Sequence, residues 1–433
     1  MKIKFLCLCF MICAVAAFAG CESKGEKIIC KVENLKEKIS DLKSEGTYNV
    51  IVSGTISNDK KFITDLSDAL KQDRSVKICL DLSETKGLKT FSSGASNLLG
   101  VSLPPSIGTL YSNSFLGKNI KYVDFPKGNK NFSVENEKAI YKNNPKTLLA
   151  VLQTAKELKV SEGTERIAKK AINNHACLEK VTLPSTVKEV GTFNFYDCHK
   201  LISVTGKVKA EEICDNFENC PLLKLVDFED SQVKSFSLCF KKLPDTHVKL
   251  PETVNYIGGC FLDSEFTNIK IPESVKNLSG NFYNLDNITD IELPKSVEVV
   301  EECFYNCKNL KHVNFGNNLK VLVRGFELCP ELKLISLPAS LVRLQNSPDK
   351  WKFGIELSDP SNWVYATYLV QIVGETSINQ EITSSPEKLI DFMNNSLYSH
   401  DEYNDVYSVS YYNGIWKAGY DIAEENSKSE YVY

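Results

Sequence analysis

The sequence predicts a solenoid of short repeated coils, closed by an α/β cap at its N-terminal end and a β-rich cap or small domain at its C-terminal end. Two ladders carry this prediction. The phrase Ile269-Lys270-Ile271-Pro272-Glu273-Ser274-Val275 returns as Ile291-Glu292-Leu293-Pro294-Lys295-Ser296-Val297, 22 residues later. It recurs at Pro104, Pro126, Pro184, Pro251 and Pro338, with Ser161, Glu229 and Gly316 in the proline slot of intervening coils. The second ladder runs through Phe195, Phe217, Phe240, Phe261, Phe282, Phe304 and Phe326, at steps of 21 to 23 residues.

Each coil therefore reads V-x-L-P-x-x-V-x-x-I, then F-x-x-C-x-x-L. The alternating V-x-L stub is a short parallel strand, and the proline ends it by withholding a ladder N–H. The remainder steps by three between apolar residues, which predicts turns or 3₁₀ pieces. No single coil can bury its Val, Leu and Phe, whereas coils stacked about 4.8 Å apart bury them all in one continuous core. Each buried Phe contributes about 1.5–3 kcal/mol to that core. A period of this length lies in the leucine-rich-repeat range, so residues 80–344 are read as a curved leucine-rich-repeat solenoid of roughly twelve coils.

Outside the repeats the pattern changes. Residues 131–157 interrupt the series, and Phe132 to Leu149 reads as a hairpin turning at Asn143-Asn144. Residues 21–46 are read as a tether followed by a helix from Lys31 to Glu45. Residues 47–79 form an α/β cap, with a strand at Tyr48 to Gly54 and a helix capped by Ser57 or Asn58. Residues 345–433 are the C-terminal cap or small domain.

The chain opens with MKIKFLCLCFMICAVAAFAGC, in which Lys2 and Lys4 precede an apolar run ending in small residues. That is a signal-peptide pattern over residues 1–20, too short for a comfortable membrane span. Phe18-Ala19-Gly20-Cys21 resembles a relaxed bacterial lipobox, which marks Cys21 for lipid attachment. Ala17-Phe18-Ala19 also fits the ordinary A-x-A rule, which would release a soluble secreted chain.

The 433 residues carry a formal charge of −4 with both signs interspersed, so no basic field exists to bind nucleic acid. Fifteen cysteines in an exported chain first point to disulfides. The repeat points elsewhere: Cys198, Cys220, Cys307 and Cys329 fill the F-x-x-C slot, and Cys239, Cys260 and Cys303 sit just before the Phe. Both are small-residue positions where a free thiol acts as a small hydrophobe. His175 occupies the Cys slot of its coil, and no set of four converging metal ligands is apparent. No P-loop, G-x-S-x-G, H-E-x-x-H or dinucleotide turn appears, so the chain reads as a non-enzyme without cofactor or metal.

The opening LDLSETKGL, the repeated L-P-x-S-V-x-x-I with F-x-x-C after it, and the insertion NFSVENEKAIY together resemble the BspA-like leucine-rich-repeat proteins of host-associated bacteria, in particular their spirochaete-type lipoproteins. The resemblance covers residues 47–344. It implies a cell-envelope protein, lipid-anchored at the outer surface, that binds protein partners such as host extracellular-matrix proteins or other cells. A periplasmic or secreted location remains open. Two other functions also remain open: a structural envelope scaffold without a host ligand, and an enzyme sited in the C-terminal segment.

The expected partner surface follows from strand geometry. In each V-x-L stub the central residue points outward, giving the column Lys159, Thr182, Ser203, Asp227, Lys249, Lys270, Glu292, Asn314 and Ser336. Lys249, Lys270, Glu292 and Asn314 are its candidate binding residues. The hairpin at Glu135 to Asn144 and the aromatic C-terminal segment are rival sites.

Overall fold

A β-turn follows each proline, because proline presets the backbone torsion and its carbonyl can accept from the residue three positions on. The N–H groups of Ile107, Val187, Val254, Val275 and Val297 donate to the carbonyls of Pro104, Pro184, Pro251, Pro272 and Pro294 at 3.1–3.2 Å. The Ser or Thr two residues after the proline donates to a carbonyl of the preceding coil: Thr186 to Thr164, Thr253 to Val233, Ser274 to Val254 and Ser296 to Val275, at 2.6–2.8 Å. These bonds explain why the repeated phrase carries a hydroxyl.

The computed structural model describes residues 25–42, 45–72, 75–115 and 120–323; beyond these it describes 326, 329, 331–332, 334–338, 340, 343–345, 369–373, 408–412 and 415–419. The expected signal sequence, Cys21 and most of the C-terminal segment lie outside the described residues. The chain forms a leucine-rich-repeat solenoid that divides into two compact units, Met1–Val204 and Thr205–Tyr433.

The first unit begins with five parallel strands in sequential order: Glu26–Lys31, Gly46–Thr55, Val76–Lys86, Leu98–Ser102 and Tyr122–Asp124. The helices Leu35–Ser40 and Asp59–Gln72 bury Leu35, Ile39, Phe62, Leu66 and Leu70 in one core with Val50, Val52, Ile78 and Leu80. Asn58 caps the second helix, its Oδ1 accepting from the Lys61 N–H at 3.0 Å. Within this unit the later coils pair Lys146–Val151, Arg166–Ile167 and Glu189–Val190 in one parallel sheet, and Glu157–Lys159 with Lys180–Leu183 in another.

The second unit shows the repeat most regularly. Seven short parallel strands lie side by side in the order Glu212–Cys214, Ser235–Ser237, Tyr256–Gly258, Asn277–Ser279, Val299–Glu301, Val321–Val323 and Arg343–Gln345. Behind them Phe217, Phe240, Phe261, Phe282, Phe304 and Phe326 stack with ring centroids 5.2–5.8 Å apart and planes within 20° of parallel. All six are fully buried. Phe217, Phe240, Phe261, Phe282 and Phe304 adopt φ of 59–65°, the left-handed region that aims each ring inward at the corner of its coil. Asn219, Asp263, Asn284 and Asn306 take the same conformation two residues after a Phe, where Asn and Asp tolerate it best. The strand Leu334–Pro338 opens a four-stranded sheet with Leu369–Val373, Ile415–Gly419 and Ser408–Tyr412.

Four expectations need correction. Residues 26–31 form a strand where a tether was expected, because Ile28 packs against the core and the whole segment pairs in register with Tyr48–Ser53. That pairing delays the following helix: Val32–Asn34 is 3₁₀ and the α-helix covers only Leu35–Ser40. The insertion is a three-stranded meander, Phe132–Glu135, Ala139–Asn143 and Lys146–Val151, so a second turn at Asn136-Glu137, both with φ of 54°, joins the one at Asn144-Pro145. Finally, the continuous sheet of the second unit comes from the segment after the proline. Its V-x-L stubs are interrupted instead: Leu225–Asp227 pairs with His247–Lys249 and Asp290–Glu292 with His312–Asn314, and no strand joins these two sets among the described residues.

Candidate protein-interaction surface

The column of outward side chains on the V-x-L stubs is broken at Lys270. Asp227 and Lys249 are register partners, and so are Glu292 and Asn314. Lys270 is exposed but lies outside any strand. The break has a local cause: the Asp245 carboxylate takes both the N–H and the hydroxyl of Thr267, at 3.0 and 2.8 Å. The coil therefore enters on side-chain bonds where its neighbours use backbone ones, such as Lys311 N–H to Thr289 at 2.7 Å.

Lys249 is also less available than its position implied. Its ammonium lies 3.2 Å from Asp227 and 3.4 Å from Glu229, and Asp227 first, then Glu229, raises its pKa. The same habit runs along both units. Lys180 reaches Glu157, Lys188 reaches Glu165, Lys234 reaches Glu211 and Lys308 reaches Asp286, each across one coil at 2.9–3.1 Å. Mixed charge at a period of about 22 thus neutralises itself between coils. Among the described residues Lys270 and Glu292 make no ion pair, and the Asn314 carboxamide accepts from Gly316 N–H at 3.1 Å.

The slot cysteines are free and buried, as expected, and they also hydrogen-bond. In the F-x-x-C slot Cys307 and Cys329 donate to the carbonyls of Phe282 and Phe304, and Cys198 donates to Ile172. Ser264 fills the slot in its own coil and donates to Phe240 at 3.0 Å. His175 does the equivalent through Nε2, 2.9 Å from Leu152 O, while its Nδ1 accepts from Leu178 N–H at 2.9 Å. Burial lowers its pKa, so it serves as a neutral ring. In the pre-Phe slot Asn281 donates to Ile257 O and accepts from Cys260 N–H, both at 2.8 Å. Cys260 does the same with sulfur, donating to Phe236 O at 3.6 Å and accepting from Cys239 N–H at 3.4 Å. Burial, the largest cause, holds the Cys303 thiol up at about 12, so it stays a donor. Ten described cysteines are free, whereas Cys79, in the first sheet, is disulfide-bonded.

On the first sheet the Tyr122 hydroxyl donates to Asp124, and burial, the largest cause, raises the pKa of both. A recess of about 370 Å³ beside the start of the helix Asp59–Gln72 has its Lys36 and Asp65 paired with each other at 3.4 Å. Among the described residues no group of three or more His, Cys, Asp and Glu is placed to hold a metal ion. No described helix is long and apolar enough to cross a membrane.

The feature missed in the sequence lies on the seven-stranded sheet. Leu238 and Tyr256 are among the few large apolar residues left exposed, at 41% and 36%. They lie over adjacent glycines: a Cβ added at Gly259 would stand 2.7 Å from Leu238 Cδ2, and one at Gly258 would collide with the Tyr256 hydroxyl. Aligning the coils SFSLCF, YIGGCF and NLSGNF exposes the signal, a leucine where the next two coils carry glycine.

The repeated turn, the inward Phe and the slot cysteine recur in sequence as well as in space. The BspA-type leucine-rich-repeat region model matches residues 77–144, 152–259 and 234–348, in six copies. The chain belongs to the BspA-type leucine-rich-repeat family. Among solved structures, the BspA-type coils are similar to a leucine-rich-repeat protein from Eubacterium ventriosum, at 17% identity over 73% of this chain and 78% of that one, with a TM-score of 0.37. They are also similar to the pneumococcal vaccine antigen PcpA, at 16% identity over 75% of this chain and 63% of that one, with a TM-score of 0.34. A leucine-rich cell surface protein from Faecalibacterium prausnitzii shares 13% identity over 69% and 81% of the two chains, with a TM-score of 0.28. No curated protein sequence matches the chain.

Proposed function

We propose that this BspA-type protein is a non-catalytic binding protein, exported and held at the bacterial envelope by a lipid on Cys21, that attaches to host matrix proteins or other cells. The observation that carries this reading is the seven-stranded parallel sheet of the second unit, which holds outward side chains in fixed register over a fully buried Phe stack. Such a rigid, repetitive surface suits an extended protein partner. Lys249, Lys270, Glu292 and Asn314 contribute a second, polar face. The opening run of Lys2, Lys4 and apolar residues up to Cys21 supports export and lipidation.

The test is protease digestion of intact against lysed cells, with acyl labelling of the wild type and Cys21→Ala in parallel, followed by binding of the purified chain to immobilised host matrix proteins. Labelling lost in Cys21→Ala, cleavage on intact cells and saturable matrix binding are the expected results. Protection until lysis would remove the adhesion reading in favour of a periplasmic scaffold.

A further inference from the structure

We infer that Leu238 and Tyr256 form the centre of a docking site for a polypeptide segment that presents an apolar side chain between lysines or arginines. The inference rests on the protein-binding reading and names the surface and the partner chemistry.

Backbone strain is the first argument. Leu238 has φ of 55°, in a corner row whose equivalents are Asp215, Gly259, Gly280 and Glu302, all with φ between 49 and 62°. A leucine in the left-handed region brings its Cβ against the following carbonyl oxygen, a steric cost that glycine does not carry. At the Phe positions of this unit the cost is offset by burial, as at Phe240 and Phe261, which have similar φ and are fully buried, while the other strained side chains, apart from Leu238, are polar or charged. The corner's backbone bond, Leu238 N–H to Gly258 O at 2.8 Å, is one that Gly259 and Gly280 make without a side chain, and Leu238 keeps 41% of its surface in water, so burial of the side chain does not repay its strain. An outlier of that kind points to a role outside folding.

The second argument is the shape of the surface. Outward positions beside the pair are small: Ser237, Gly258 and Ser279 are register partners on three adjacent strands. The two large side chains therefore stand on a low floor, the arrangement of an anchor that fits between a partner's side chains.

Charge supplies the third. Glu212 lies on the Glu212–Cys214 strand, Asp215 follows it at the corner, and Glu301 lies on the far side of the floor. Glu212 accepts from Ser237 at 3.0 Å and Asp215 from the Cys214 thiol at 3.6 Å, but none of the three makes an ion pair among the described residues. Elsewhere on this unit Glu211, Glu218, Asp230 and Glu298 all have lysine partners. The Tyr256 hydroxyl is held protonated above its usual range by burial first, then by Cys260, Glu301 and Glu212, which places the carboxylates within its field. An apolar pair ringed by uncompensated carboxylates is complementary to a basic segment with an apolar residue at its centre.

The experiment uses the mature full-length protein and three sets of short synthetic peptides: Leu, Phe or Tyr flanked by lysines or arginines, the same residues flanked by glutamates, and basic residues alone. Dissociation constants are measured at low and high salt for the wild type, Leu238→Gly and Tyr256→Ala, with urea unfolding run beside them. The expected result is binding of the first set only, weakened by salt and about tenfold or more by each variant, with the urea midpoint of Leu238→Gly unchanged or higher. Equal binding of the glutamate-flanked set, no binding of the first set, or affinities unchanged in both variants would overturn the inference. The same variants are assayed on the matrix proteins: if matrix binding survives in them, this site falls while the protein-binding reading stands, and if the wild type binds no matrix protein and no peptide, both fall.

Discussion

The Cys307 thiol lies 2.8 Å from the carbonyl oxygen of Phe282, one coil earlier, and Cys329 stands at the same distance from Phe304. The left-handed corner at each Phe turns its carbonyl away from the ladders of the two strands, and a buried carbonyl without a donor is costly. Where the slot residue of the next coil is Ser264, Cys307 or Cys329 it supplies that donor, whereas Leu243 and Leu285 fill the slot with an apolar side chain alone. This relationship explains why Cys, Ser and His interchange at the position: each can donate to a carbonyl and each fits.

For Cys307 the expected outcome separates donor from volume. Cys307→Ala should lose about 1–3 kcal/mol in urea unfolding, because it leaves the Phe282 carbonyl buried and unpaired. Cys307→Ser should lose less, since Ser264 does the same work in its own coil. Equal losses would show that only volume matters there.

Asn281 offers a second test of the same principle. It donates to Ile257 O and accepts from Cys260 N–H, so Asn281→Ala strands two buried backbone groups. Asn281→Cys should retain more stability than Asn281→Ala, as Cys260 fills the neighbouring slot with sulfur. Chemical denaturation of the two variants decides between them.

His175 sets a pH dependence. Its folded pKa lies below the ordinary value of 6.5 because burial disfavours the charged ring. The unfolded chain therefore binds the proton more readily, so the stability that neutral His175 contributes is complete above about pH 6.5 and declines as pH falls below it. Urea midpoints measured downward from neutral pH should show this loss, and His175→Cys, matching the Cys198 slot, should flatten it.

Two glycines of the first unit should respond differently to alanine. Gly87 has φ of 84° and an added Cβ would collide with the Ile56 carbonyl, so Gly87→Ala should lower the melting temperature clearly. At Gly108 nothing lies within 4 Å of an added Cβ and φ is ordinary, so Gly108→Ala should be near neutral.

What the sequence determined by itself was everything that burial imposes on a single coil. The proline turns, the inward Phe ladder, the buried slot cysteines, the Asn58 cap and the family all follow from spacing, because the same side chains must meet a core once per turn. The candidate column was legible as exposed positions, Glu292 and Asn314 among them. Tertiary structure decided how one coil meets the next. Whether the stub before or after the proline builds the continuous sheet depends on backbone groups that look alike in sequence, and at Thr267 one Asp245 carboxylate breaks the expected pairing. Lys249 is engaged because Asp227 and Glu229 come within reach only across the stack. Leu238 is notable for the same reason: its left-handed, exposed conformation is visible only once the coil corners are aligned in space. Periodicity records what each coil hides from water, while hydrogen bonds and charges between coils depend on their relative placement.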